Sequence, residues 1–256
     1  MAQEKFNRVE LLVGNDAMQR IASARVIIFG VGGVGSWAAE SLVRSGFGHI
    51  TLVDFDRVEE TNINRQLPAT TATVGDIKVE VMAEHLRQIN PDCDIVAIRQ
   101  FYTEATACEF NLEEYDYVLD AIDSLRDKAL LIINATRCNR PKLFSSMGAA
   151  LKMDATAIDV AEFWKVQGCP LAAALRRKFK SSGIFPAKKF KCIYSPELYQ
   201  NRGSQPIEAE QSQGSTDTAD LDNVKVKKAQ INGTMAHTTA IFGFMLAGLV
   251  INDICS

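Results

Sequence analysis

The sequence predicts an α/β protein: a mainly parallel sheet with helices on both faces, extended by a less regular C-terminal half. Three observations predict it. Short β-branched runs alternate with helical segments through residues 1–150, glycines cluster where the first run meets the first helix, and an acid closes the second run. In order, residues 24–30 (ARVIIFG) read as a buried strand. Residues 35–45 (GSWAAESLVRS) read as a helix with Trp37, Ala38, Leu42 and Val43 on or near one face. Residues 49–54 (HITLVD) form the second strand, and residues 77–90 a second helix that Pro91 stops. Strands are expected at 94–99, 116–122 (DYVLDAI) and 141–145, with a helix at 124–139 between the last two. Beyond residue 150, residues 171–180 predict a short basic helix and a final apolar stretch predicts another. Residues 199–223 are polar and poor in large apolar side chains, and are expected to be a flexible loop.

The composition narrows the function. The 256 residues are 47% apolar and 23% charged, with a net charge of -3, which excludes a disordered chain and a wholly basic nucleic-acid coat. Six cysteines without a C-x-x-C pair fit neither a zinc ribbon nor a thioredoxin-type site. With no apolar stretch near Met1, they predict a reduced, cytoplasmic protein. The uncharged stretch 229–252 has a continuous apolar part of only 12 residues, whereas a membrane span needs about 20, so a buried or subunit-contacting helix is expected and no membrane insertion.

Gly30, Gly32 and Gly35 match G-x-G-x-x-G between a strand and a helix, a Rossmann-like context. Missing side chains permit a tight turn, and the helix N-terminus offers amide donors and positive dipole to phosphate. Asp54 ends the next strand 19 residues after Gly35, where it can accept from ribose hydroxyls. Polar side chains follow at once, among them Asp56, Asn62, Asn64, Arg65 and Gln66. Arg65 and Lys78 supply cations, and Asp123 a carboxylate at a strand's C-terminal end. Two cations with extra carboxylates suit a triphosphate with Mg²⁺ better than a dinucleotide. Taken singly, Arg65 is compatible with a solvated loop charge, and Lys78 with a helix-face pair to Glu80 or Glu84.

The ordered set G-x-G-G-x-G, D-F-D, T-N-x-N-R-Q, V-G-D-x-K and D-A-x-D resembles the ATP-binding motifs of the ubiquitin-activating-enzyme-like superfamily, which includes bacterial molybdopterin-synthase and thiamine-biosynthesis adenylyltransferases. The resemblance implies an ATP-binding half at residues 1–150 and a substrate-binding and dimerisation half of the same domain at 151–256. It implies that Gly33 touches ATP phosphates and Asp54 the ribose. It also implies that Asn64, Arg65 and Lys78 hold phosphates, that Asp123 holds Mg²⁺, and that Arg8 reaches across a homodimer to the partner's site. Within the superfamily, GGVGSWAAESLVRSGFGHITLVDFD, VMAEHLRQINPDC, DAIDSLRDKALLI and CIYSPE resemble the tRNA threonylcarbamoyladenosine dehydratases. That branch implies ATP-dependent cyclisation of a modified adenosine beside the anticodon, through carboxylate adenylation. An adenylyltransferase for a small sulfur carrier protein is the alternative. A sulfur-transfer protein partner and a bound monovalent cation are left open by the residues.

Residues 176–191 carry seven basic and no acidic side chains: Arg176, Arg177, Lys178, Lys180, Lys188, Lys189 and Lys191. Phe179, Phe185 and Phe190 are interleaved. Cations can neutralise phosphates and aromatics can stack on splayed bases, so with the resemblance this run is expected to contact tRNA. The other reading is a solvated face whose phenylalanines enter the core. Cys192 is expected to be a packed small hydrophobe; the alternative is a thiol near substrate, activated by Lys191.

Overall fold

The computed structural model describes residues 4–203 and 232–256. Two helices, α1 (Asn7–Val13) and α2 (Asn15–Ser23), precede the first strand. Then follow β1 (Arg25–Phe29), α3 (Gly35–Arg44), β2 (His49–Val53), α4 (Lys78–Ile89) and β3 (Asp94–Ile98). Next come β4 (Tyr117–Asp120), α5 (Leu125–Arg137), β5 (Lys142–Ser146) and β6 (Asp159–Glu162). The chain continues as α6 (Pro170–Ser182), β7 (Lys191–Tyr194) and α7 (Ala236–Cys255).

The strands form one sheet in the order β3-β2-β1-β4-β5-β7-β6. All neighbours are parallel except β6, which runs against β7. Side-chain alternation then decides the two cores. Val26, Ile28, Leu52, Leu119, Phe144 and Ile193 face one way, into a core with α3, α4 and α7. Ile27, Phe29, Val118, Leu143 and Cys192 face the other, into a core with α5 and α6. The expected parallel sheet with helices on both faces is the observed one. The two opening helices and the strands β6 and β7 are additions to the sequence reading. The expected flexible loop at 199–223 lies, from residue 204 onward, outside the described residues; residues 199–203 have no regular secondary structure.

Helix α7 is apolar from Ala240 to Ile251 and packs against α3, α2 and the sheet. Gly243 lets it close on α3: a Cβ there would stand 2.5 Å from the Val34 carbonyl oxygen and 2.7 Å from the Trp37 Cβ. Among the described residues α7 is the one helix long and apolar enough to cross a membrane, and 44% of its most apolar window is buried in the fold. Its far end is locked by polar contacts. Asp253 accepts from Lys142 Nζ at 2.7 Å and from the Tyr117 hydroxyl at 2.7 Å, and Arg20 Nε donates to the Ile254 carbonyl at 3.1 Å.

Burial works to raise the Asp253 pKa, but the hydrogen bonds from Lys142 and Tyr117 outweigh it and hold the carboxyl below its usual value. A depressed folded pKa contributes stability above the unfolded aspartate pKa of about 3.9, and that contribution is lost as pH falls below it. Asp253→Asn is therefore expected to cost about 1–2 kcal/mol at pH 7 and to flatten the acid limb of the stability curve. Urea unfolding from pH 7 to pH 3 checks this; an unchanged acid limb would remove Asp253 as the lock.

Candidate active site

The sheet order reverses between β1 and β4, so their C-terminal ends open a crevice, the position where open α/β sheets bind ligands. The β1–α3 turn builds one wall. Gly30 adopts φ +89°, and a Cβ there would stand 2.7 Å from the Ala121 carbonyl oxygen after β4. A Cβ on Gly35 would stand 1.8 Å from the Gly30 carbonyl oxygen. Only glycine fits at either position. The Gly30 amide donates to Val53 O and the Val31 amide to Asp54 Oδ2, at 2.8 and 2.6 Å. Within the first turn of α3 the Ser36 amide already donates to Gly32 O at 3.2 Å and the Ala38 amide to Val34 O at 3.0 Å, so the donors offered to a ligand are those of the glycine turn ahead of it.

Charged groups gather around this turn. Asp54 also accepts from the Asp56 amide at 2.9 Å. Burial raises its pKa, opposed mainly by Lys78. Lys78 is almost fully buried and donates to Asp56 Oδ2 at 2.9 Å, while Asp56 itself is 59% exposed. The ammonium is thus held at the crevice by an acid facing outward, not paired with Glu80 or Glu84. Arg65 donates to Thr61 O at 2.9 Å and to Asn64 Oδ1 at 2.8 Å. Burial lowers the Arg65 pKa, and the fields of Asp123 and Glu59 act against that. Asp123 therefore sits within electrostatic reach of Arg65, across the crevice from the β2 side.

Gln66 is buried beside Gly32, and its Oε1 has no hydrogen-bond partner among the described residues. Asn62 differs from expectation. It is buried, and its Oδ1 accepts from the Glu59 amide at 3.2 Å, so it caps the short helical turn Glu60–Asn62 instead of facing the crevice.

The Asp123 loop rests on a feature the sequence reading missed. Asp120 and Lys128 are fully buried and paired at 2.8 Å. Asp120 also accepts from Ser145 Oγ at 2.7 Å and from the Ile122 amide at 3.1 Å, and Lys128 donates to Ile122 O at 3.0 Å. Both charges grip the residue before Asp123. A lysine inside the apolar helical run at 124–139 was the available signal.

The rim of the crevice comes from distant segments. Asn64 Nδ2 donates to Thr234 O at 3.0 Å, Thr239 packs over Gly33, and His237 Nε2 lies 2.9 Å from Met153 O. Leu151 holds a strained φ of +57°, fixed by hydrogen bonds with Gly233 and Tyr199.

Other expected residues lie elsewhere. Arg8 opens α1, next to Lys5, which bonds Asn90 at the far end of α4, and Phe6, which packs on Gly46 past the far end of α3. It is thus at the opposite end of the sheet from its own glycine turn. The basic run is also at that end. Lys188 donates to Cys138 O and Asn139 O beyond the last turn of α5. Arg176 is used internally, donating to Phe163 O and Val166 O at 3.2 and 2.9 Å. Phe179 and Phe190 are core residues, while Phe185 is exposed. Arg177, Lys178, Lys180, Lys189 and Lys191 are exposed. Lys191 lies in the field of Asp253, on the α7 side. Cys192 points the other way into the core, where burial pushes its thiol well up, so it is a packed hydrophobe.

The fold and the crevice define a nucleotide-binding α/β protein whose glycine turn is ringed by cations and carboxylates. The chain belongs to the ThiF family, whose sequence model matches residues 6–255. It is similar to the tRNA threonylcarbamoyladenosine dehydratase of Bacillus subtilis, 37% identical over 251 residues, 98% of this chain and 94% of that one. The molybdopterin-synthase adenylyltransferase of Escherichia coli is 32% identical over 182 residues, 70% of each chain. Among solved structures, E. coli tRNA N6-threonylcarbamoyladenosine dehydratase, TcdA, in complex with AMP superposes with a TM-score of 0.82 at 35% identity, covering 98% of this chain and 94% of that one. The same protein in complex with ATP gives 0.81, covering 98% and 93%.

Removing one partner of a fully buried ion pair strands the other. Lys128→Met is expected to cost about 3–5 kcal/mol in urea unfolding, and Asp120→Asn combined with Lys128→Met to recover most of that loss. A double variant as unstable as the single one would show that the pair acts through something other than charge compensation.

Proposed function

We propose that this protein is an ATP-dependent tRNA threonylcarbamoyladenosine dehydratase, which cyclises the modified adenosine next to the anticodon and releases AMP and pyrophosphate. One observation carries the reading: Arg65, the Lys78–Asp56 pair, Asp54 and Asp123 converge on the glycine turn at the switch point of the sheet. The similarity to dehydratases over 98% of the chain supports it, against 70% for the sulfur-carrier type of relative.

The backbone of Gly30, Gly32, Gly33 and Gly35 cradles the phosphates, and Asp54 and Asp56 take the ribose hydroxyls. Asn64, Arg65 and Lys78 hold the phosphate oxygens, with Gln66 closing the loop beneath them. Asp123 fits Mg²⁺: it offers a hard carboxylate oxygen, and Mg²⁺ typically takes one or two of these together with phosphates and water. Bound there, Mg²⁺ would supply charge neutralisation to the phosphates.

A threonyl carboxylate has only oxide to lose, so it resists attack. Its oxygen attacks the α-phosphorus and pyrophosphate departs, leaving AMP as the leaving group. The urea-like nitrogen of the same substrate then attacks the carbonyl carbon, the C–O bond to AMP breaks, and the nitrogen's proton passes to solvent. Because ring closure is intramolecular, positioning supplies much of the acceleration. Preorganised Arg65 and Lys78 meet the charge that develops on the phosphates.

The enzyme works as a cytoplasmic homodimer. Arg8 is remote from its own site, and Leu11 and Leu12 beside it on α1 are 87% and 85% exposed, which supports a partner covering this helix and receiving Arg8. Arg177, Lys178, Lys180 and Lys189 contact tRNA phosphates, with Lys191 on the other face of the sheet.

The test is nucleoside mass spectrometry of modified tRNA after incubation with ATP and Mg²⁺. Loss of one water from the modified adenosine is expected; ATP turnover only with a Gly-Gly-tailed carrier protein would favour the sulfur-carrier reading. Lys78→Ala and Asp123→Ala should each lower turnover about a hundredfold or more, roughly 3 kcal/mol, with the fold intact by circular dichroism. Near-normal turnover in either would misassign the site. Mixing Arg8→Ala with Lys78→Ala subunits should restore part of the activity, because a heterodimer regains one intact centre. A mixture as inactive as both parents would remove the cross-subunit role.

A further inference from the structure

Two exposed aromatic side chains lie beside the basic run, far from the crevice. Trp164 is 40% exposed and Phe185 48%, and their rings lie 6.1 Å apart at 41°. They come from separate segments: Trp164 from the turn after β6, Phe185 from the loop after α6, which Gly183 reverses at φ +70°. Phe163, Phe179 and Phe190 pack beneath them, with Phe163 stacked on Phe190 at 5.0 Å. The two outer rings therefore stand on a rigid aromatic floor. Lys165 follows Trp164 directly in the chain, and Arg177, Lys178 and Lys180 on α6 and Lys189 in the loop that carries Phe185 are exposed.

The sheet fixes where this shelf lies. Glu162 pairs with Lys191 where β7 begins, so the shelf follows the amino-terminal edge of the sheet, whereas the glycine turn follows the carboxy-terminal edge. Four strand spacings separate β1 from β6. At ~4.8 Å per spacing and ~3.3 Å per residue along five-residue strands, shelf and crevice are about 25 Å apart. That exceeds the reach of bases flanking a nucleotide bound in the crevice.

We propose that Trp164 and Phe185 form a stacking shelf for unpaired bases of the tRNA at a point distant from the nucleotide being modified, with cations of the basic run on the adjacent phosphates. RNA is the partner the chemistry favours. Aromatic faces stack on any base, and cations without intervening acids in 176–191 match a phosphate chain. An apolar protein surface would not call for this density of positive charge. The inference rests on tRNA being the substrate, and it assigns the shelf to the body of the molecule instead of the reacting loop.

The test compares full-length modified tRNA with its isolated anticodon stem-loop, using Trp164→Ala, Trp164→Phe and Phe185→Ala. Gel-shift affinity for full-length tRNA is expected to fall about tenfold for each alanine variant, with Trp164→Phe keeping most of the wild-type affinity. Turnover of the stem-loop and ATP affinity should stay at wild-type values. Three results would overturn the proposal: unchanged affinity for full-length tRNA, equal losses on both substrates, or dissociation of the dimer in sedimentation, which would make the shelf an interface between copies. If the wild-type protein dehydrates neither substrate, the proposed function fails, while the gel shift still reads the shelf on its own.

Discussion

The contact between the turn after β1 and the chain leaving β4 constrains everything at the working edge of this protein. Gly30 abuts the Ala121 carbonyl and Gly35 abuts Gly30, with no room for a methyl group at either place. This lets α3 begin directly over the crevice, with the glycine turn's own amides ahead of its first hydrogen-bonded residues. It also brings Asp123 from β4 within the field of Arg65, which arrives from the β2 side. A larger side chain at either glycine would push the walls apart and lose the cradle and the charge pairing together.

Electrostatic design follows the same geometry. The site anchors its cations at its edge: buried Lys78 pairs with an exposed Asp56, and Arg65 is braced by Thr61 O and Asn64 Oδ1. A dry ion pair, Asp120 with Lys128, sits one layer below and grips the backbone of Ile122 from both charges. Such a pair contributes little net stability compared with apolar packing, so its value lies in fixing the loop. Preorganisation of this kind suits adenylation, in which phosphate charge must be met without rearrangement.

The parallel sheet and the glycine turn were legible because period-2 apolar runs and glycine spacing are local signals. Asp54 and Lys78 were legible because each adjoins a strand or helix end, and Arg65 because it is a cation in the polar run between them. Asn62 was read as a ligand because nothing local distinguishes a cap from a ligand in a polar run. Lys128 was missed because its partner is eight residues away in chain and visible only once β4 and α5 pack. Strand β7 was hidden by its basic start and β6 by its acidic ends, and both are too short for a period to show. The basic run shows the limit best. Its charge was plain from sequence, yet the inward turn of Arg176, Phe179 and Phe190 depends on the floor that Phe163 provides.

Two ends of one sheet thus carry different chemistry, reaction at the carboxy-terminal edge and, in the proposed account, partner and RNA contacts at the other. The central claim is that the crevice activates a carboxylate at the α-phosphate of ATP. The most direct measurement labels the threonyl carboxylate of the modified tRNA with oxygen-18 and analyses the products by mass spectrometry. The account predicts that the released AMP carries one labelled oxygen. Unlabelled AMP, with the label in orthophosphate or water, would contradict it.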